Sequence, residues 1–190
     1  MFCPITHESH CKCLYVRDKV CSLKVDLKSS LRKLWTDHAV FTALVMKSIV
    51  DNNKDTKVLL DRLLLNQKDI GDQLKPIIGE NKGNELTNIL KEHIKLAGDV
   101  ITAAVKNDGM LEIKIKNLFN NSDQVALILS SLNEYKLCYE ITQNMFHIHN
   151  QFVIDMTVER IKGNYSQEIK LYDSYYNEIL AMSDIIYDAL

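Results

Sequence analysis

Apolar residues recur at intervals of three and four along most of the chain, and no stretch of convincing length alternates with a period of two. That pattern predicts amphipathic helices and no sheet. The first helix is expected from about Lys28 to Asn52, with Leu31, Leu34, Trp35, His38, Phe41, Thr42, Val45 and Ile49 on one stripe and DNNKD as its turn. A second follows Asp55 as N-cap, carries Leu59, Leu60, Leu63, Leu64 and Ile70, and is expected to stop before Pro76, whose ring forbids continuation. A third covers about Asn84 to Asn107 and closes at NDG, where Gly109 is free to turn left-handed. The fourth spans about Leu111 to Leu132 with an expected break near Asn120, and the fifth about Glu134 to Lys162. The sixth runs from Ser166 to the end with Ile169, Tyr172, Tyr176, Ile179 and Ile186 inward.

Two prolines and six glycines leave few places where a helix must stop. Short turns between long helices make sequence neighbours antiparallel, so the expected fold is all-α, an up-and-down antiparallel bundle of four to six helices. Residues 25–190 form this domain, preceded by a Cys/His-rich segment at residues 1–24. No internal repeat is legible.

Three histidines interrupt the apolar faces. In ILKEHIKLAGDVI, His93 shares its face with Ile89, Leu90, Leu96 and Ala97; His38 shares one with Leu34, Trp35, Phe41 and Thr42. MFHIH supplies an internal control: His149 sits with Met145, Phe152 and Val153, whereas His147 sits with Gln143, Asn144 and Gln151. Only His149 of that pair is expected to be buried. The three candidates belong to the first, third and fifth helices, which point the same way, and lie about 15, 14 and 22 Å from their helix starts at the usual rise. They can share a layer.

A buried imidazole needs a partner, because an unpaired one costs about 1–3 kcal/mol. A transition metal (zinc, iron or copper) would satisfy three rings at once. The alternative is that each ring bonds a nearby side chain. Across the fifth turn, Glu178 falls nearly opposite His149, while Asp184 has Leu180, Ala181 and Tyr187 around it and is the candidate fourth ligand. Arg62 and Asn66 share a face beside Leu59, Leu63 and Ile70, so Arg62 is expected to neutralise Asp184 or hold an anion, and Glu92 adjoins His93 as a supporting carboxylate. Leu90 and Phe146 occupy the positions three before His93 and His149, where di-iron bundles place glutamate, so the expected centre is mononuclear. Haem on two histidines is the less favoured cofactor.

A second metal cluster is suggested by Cys3, His7, His10, Cys11, Cys13 and Cys21, six thiols and imidazoles within 19 residues. Their spacing matches no standard zinc module, and incidental thiols in a tail are the simpler reading. Cys138 sits on an apolar face and reads as core. An odd number of cysteines with one isolated does not form a secreted disulfide framework. Glycine-rich nucleotide loops and the common hydrolase motifs are missing.

Composition narrows the partners. A chain that is 46% hydrophobic and 25% charged is ordinary for a globular domain, and a net charge of -2 with signs mixed gives no field for nucleic acid or anionic membrane. No apolar run reaches the roughly 18–20 residues of a membrane span and the N-terminus lacks a signal-peptide core. A cytoplasmic protein is expected, with homo-oligomerisation and small ligands left open.

The order LWTDH, DRLLLNQKDIG, LKPIIGE, LKEHI, MFHIH and MSD resembles a group of small, essentially uncharacterised helical-bundle proteins from bacilli and other bacteria. The shared pattern falls on Trp35 and His38, Arg62 and Asn66, Glu92 and His93, Met145 and His149, and Met182 and Asp184. Asp61 replaces the asparagine of that pattern, and the Cys-rich leader has no counterpart. The resemblance implies a helical bundle.

Two functional readings stand at this point. In one, His38, His93, His149 and Asp184 bind a transition metal for catalysis, sequestration or sensing. In the other, the protein is a non-catalytic interaction or structural protein, cellular or viral, whose core histidines are satisfied by their neighbours.

Overall fold

The computed structural model describes the backbone of residues 7–133 and 135–190 and the side chains of residues 26–133 and 135–190. Six helices account for nearly all of it: α1 (His7–Val50), α2 (Thr56–Ile78), α3 (Glu80–Lys106), α4 (Leu111–Ser130), α5 (Tyr139–Ile161) and α6 (Tyr165–Ala189). No strand occurs among the described residues, and no described helix is long and apolar enough to cross a membrane.

Each helix follows from its apolar stripe. In α1, Leu31, Trp35, His38, Ala39, Thr42 and Met46 are buried, a spacing that keeps one face inward. The six faces meet in one core, to which α2 contributes Ile70 and Leu74, α3 Leu86 and Leu90, and α4 Val125 and Leu129. From α5 come Phe146, Val153 and Met156, and from α6 Tyr175, Ile179 and Met182.

Several boundaries differ from expectation for identifiable reasons. Pro76 lies inside α2, in its last turn, where the missing N–H removes only the bond to the Asp72 carbonyl. The helix then closes through Gly79 N–H on Lys75 O at 2.8 Å, and Gly79, at φ 87°, turns the chain directly into α3. At the end of α3 the left-handed residue is Asn107, φ 50°, rather than Gly109; asparagine tolerates that conformation well. Helix α4 passes through Asn120 unbroken, because Asn121 and Ser122 are buried and bonded within the bundle. In α6 the inward register includes Glu168 and Tyr175, while Ile169 is 48% exposed.

Ion pairs and hydrogen bonds fix the antiparallel order. Helices α1 and α6 are joined at Lys28–Asp184, Thr36–Tyr176 and Lys47–Glu168, and α1 and α2 at Asn66–Leu34 and Ser48–Thr56. Every helix packs on its sequence neighbours and α6 returns to α1, closing a ring; α1, α3 and α5 also touch one another inside it. The result is three hairpins, each presenting its first helix to the centre. Helices α2 and α3 approach closely at Gly71, where a Cβ would run into the Thr87 hydroxyl and come within 2.8 Å of the Gly83 carbonyl.

Candidate functional site

The three inner helices bring His38, His93 and His149 together. Each is 3% exposed, and the His149 ring centroid lies 5.5 Å from that of His38 and 6.2 Å from that of His93. His147, one turn-face away, is about one-third exposed and bonds Asp123 at 2.7 Å instead. The face rule therefore separates two histidines only two residues apart.

Every ring uses Nδ1 to bond a polar side chain on the next helix. Gln67 Nε2 in α2 donates to His38 Nδ1 at 3.1 Å, His93 Nδ1 bonds Asn121 Oδ1 in α4 at 2.9 Å, and His149 Nδ1 meets Glu178 Oε2 in α6 at 3.3 Å. The separations along the chain are 29, 28 and 29 residues. The histidines themselves follow at intervals of 55 and 56 residues. One hairpin with one histidine brace thus recurs three times around the interior.

Neighbouring carbonyls set the tautomers. Gln67 Nε2 also reaches Leu63 O and Asn66 Oδ1, both at 3.0 Å, and these oxygens only accept, so the amide nitrogen, sharing its two hydrogens among three acceptors, faces a His38 Nδ1 that carries no proton. The His38 proton is then on Nε2. Asn121 Nδ2 reaches Ile89 O at 3.4 Å, which turns Oδ1 toward His93 and places that ring's proton on Nδ1. His149 likewise donates from Nδ1 to the Glu178 carboxylate.

Burial disfavours the charged form of His38 and His93. It is the largest influence holding His38 well below the ordinary histidine range, followed by the charge of His149 and then His93. His93 is lowered to about 4, again first by burial and then by His149, against the opposing hydrogen bonds of Asn121 and Asn150. Tyr175, whose ring centroid is 5.1 Å from His149, has its hydroxyl pushed far up by burial. A further polar layer joins α4 to α5, where Asn150 Nδ2 donates to Ser122 Oγ at 2.7 Å. Trp35 Nε1, Gln67 Oε1, Glu178 Oε1 and the Tyr175 hydroxyl are buried without a hydrogen-bond partner.

The expected metal centre is corrected by this arrangement. No group of three or more His, Cys, Asp or Glu side chains among the described residues is placed to hold a metal ion. His38, His93 and His149 do converge, but each is bonded to the adjacent helix. Asp184, the expected fourth ligand, faces Lys28 and Arg32 at 3.5 Å near the other end of α6. The transition-metal function, catalytic or storage, therefore does not stand.

The expected supporting residues are also redistributed. Arg62 pairs with Asp37 at 3.4 Å and lies over the Phe41 ring at 4.7 Å rather than meeting Asp184. Asn66 is fully buried and donates to Leu34 O at 2.9 Å. Glu92 is exposed and opens onto a surface groove. Cys138, expected in the core, is exposed and donates to Glu140 at 2.7 Å. The side chains of His7, His10, Cys11, Cys13 and Cys21, and Cys3 altogether, lie outside the described residues.

Gln67 and Asn121 are the site residues that sequence reasoning missed. The test applied to His93 points to Gln67, which shares its face with Leu63, Leu64 and Ile70, but not to Asn121, where Leu118 and Val125 are mixed with Asn117 and Gln124. No protein-family model, curated protein or solved structure matches the chain.

Proposed function

We propose that the protein is a non-catalytic interaction or structural protein, a six-helix scaffold in which the buried histidines brace the three hairpins. The observation that carries this reading is the repeated bond from a histidine Nδ1 on an inner helix to a side chain on the next outer helix. A polar bond in an apolar seam penalises slippage, because any shift of about one turn leaves buried donors and acceptors unpaired at about 1–3 kcal/mol each. Each brace fixes the relative height of the two helices of its hairpin, which gives the outer face of that hairpin a defined shape. The residues shared with the bacillar group include Trp35, His38, Asn66, His93, Met145, His149 and Met182, all buried, and the same brace is proposed for that group.

The test is thermal unfolding of tag-free protein before and after exhaustive chelation, with elemental analysis of the starting material. An unchanged Tm and no stoichiometric metal support structural histidines. A Tm that falls on chelation and returns with one metal ion contradicts them.

A further inference from the structure

We infer that the groove between α3 and α4 docks an amphipathic helix of a partner protein that carries basic residues two turns apart around an apolar anchor. The inference rests on the reading of the protein as an interaction module and names the partner's chemistry. The groove encloses about 660 Å³ and runs along the outer face of the hairpin braced by His93 and Asn121.

Its chemistry is one-sided. Helix α3 lines it with Glu85 and Glu92, seven residues apart, which puts two carboxylates on one face about 10 Å apart at the helical rise. No lysine or arginine lines it. Among the described residues neither glutamate forms an ion pair, and both are exposed, so both carboxylates can meet a partner's cations. Between the carboxylates lies Ile89, and Leu127 and Ile128 form the opposite wall. Leu127 is 61% exposed, a large apolar side chain presented inside a polar rim.

An apolar strip flanked by acids seven residues apart is complementary to a helix with Lys or Arg at i and i+7 and leucine-like residues between them. Asn84 and Asn88, on the same α3 face, add side-chain amides that can bond the partner's polar groups. Phosphate-bearing partners are disfavoured, since the groove offers them carboxylates and no cation.

The test uses the full chain and a fluorescein-labelled synthetic helical peptide with lysines at i and i+7 and leucines at i+3 and i+4, read by fluorescence anisotropy. Saturable binding is expected, weakened about tenfold or more by Leu127→Asp or by Glu85→Lys with Glu92→Lys, and absent for a peptide with glutamate in place of lysine. Leu127→Asp is exposed, so its circular dichroism and Tm should match the parent. Absence of saturation, equal binding by the groove variants, or equal binding of the glutamate peptide overturns the inference. Self-association by light scattering that disappears in Leu127→Asp also overturns it, because a second copy then covers the groove. Chelation of the same sample separates the two claims: an unchanged Tm with no peptide binding removes the groove alone, while a metal-dependent Tm removes the parent reading.

Discussion

His93 Nδ1 lies 2.9 Å from Asn121 Oδ1, and the same amide reaches back through Nδ2 to Ile89 O, one turn before the histidine, at 3.4 Å. Asn66 makes the equivalent reach in the first hairpin, to Leu34 O one turn before His38. A single outer-helix amide can therefore grip both an imidazole and the backbone beneath it.

Truncation of one partner should be costly. Asn121→Ala leaves the His93 N–H buried and unpaired and should destabilise the protein by about 2 kcal/mol. In a double-mutant cycle with His93→Leu, the two losses should couple by about 1 kcal/mol or more. Urea unfolding of the four proteins checks this, and additive losses would show that the bond contributes nothing.

Stability should fall with acid in a window set by the histidines. The ordinary histidine value is 6.5 and that of folded His93 is about 4, so below pH 6.5 the unfolded chain binds protons that the folded one refuses. The contribution is fully present above pH 6.5 and is lost as pH falls toward 4, amounting to about 3 kcal/mol for His93. His38 shifts in the same direction and adds to the loss. Unfolding free energy measured from pH 8 to 4 should decline accordingly, and His93→Gln should flatten the decline.

Much of this was legible in the chain, and the exceptions have physical causes. Face counting separated His149 from His147 because burial follows helical phase, and it placed Glu178 opposite His149. The same counting misread α6, where Ile169 is exposed and Glu168 is buried: Arg160 at 2.9 Å and Lys47 at 3.4 Å neutralise that carboxylate, and tertiary charge pairing has no signature in local periodicity. The partners of the histidines escaped because an imidazole's choice between an ion and an amide depends on Gln67 and Asn121, residues from other helices. Pro76 reads as a stop in the sequence, but in a last turn it removes little.

The ion pair at that end of the bundle should be strongly coupled. Glu168 is 1% exposed, and Arg160 also joins it to Asp51 in the α1–α2 connection. Arg160→Met strands a buried carboxylate and should cost about 3 kcal/mol. A Tm scan checks this; Lys57→Met, which removes a surface pair to Asp61, should shift Tm little.

Two glycines should respond with opposite signs. Gly71→Ala forces a methyl group into the Thr87 hydroxyl and the α3 backbone and should cost about 2 kcal/mol. Gly98, within α3, has open space where its Cβ would stand, so Gly98→Ala should stabilise by about 0.5–1 kcal/mol. Chemical denaturation of both variants checks the pair.

The imidazole nitrogens report the braces most directly. A long-range proton–nitrogen correlation spectrum at pH 7 should show His38 and His93 neutral and in opposite tautomers, protonated on Nε2 and Nδ1 respectively. A charged ring at either position, or a proton on His93 Nε2, would contradict the account.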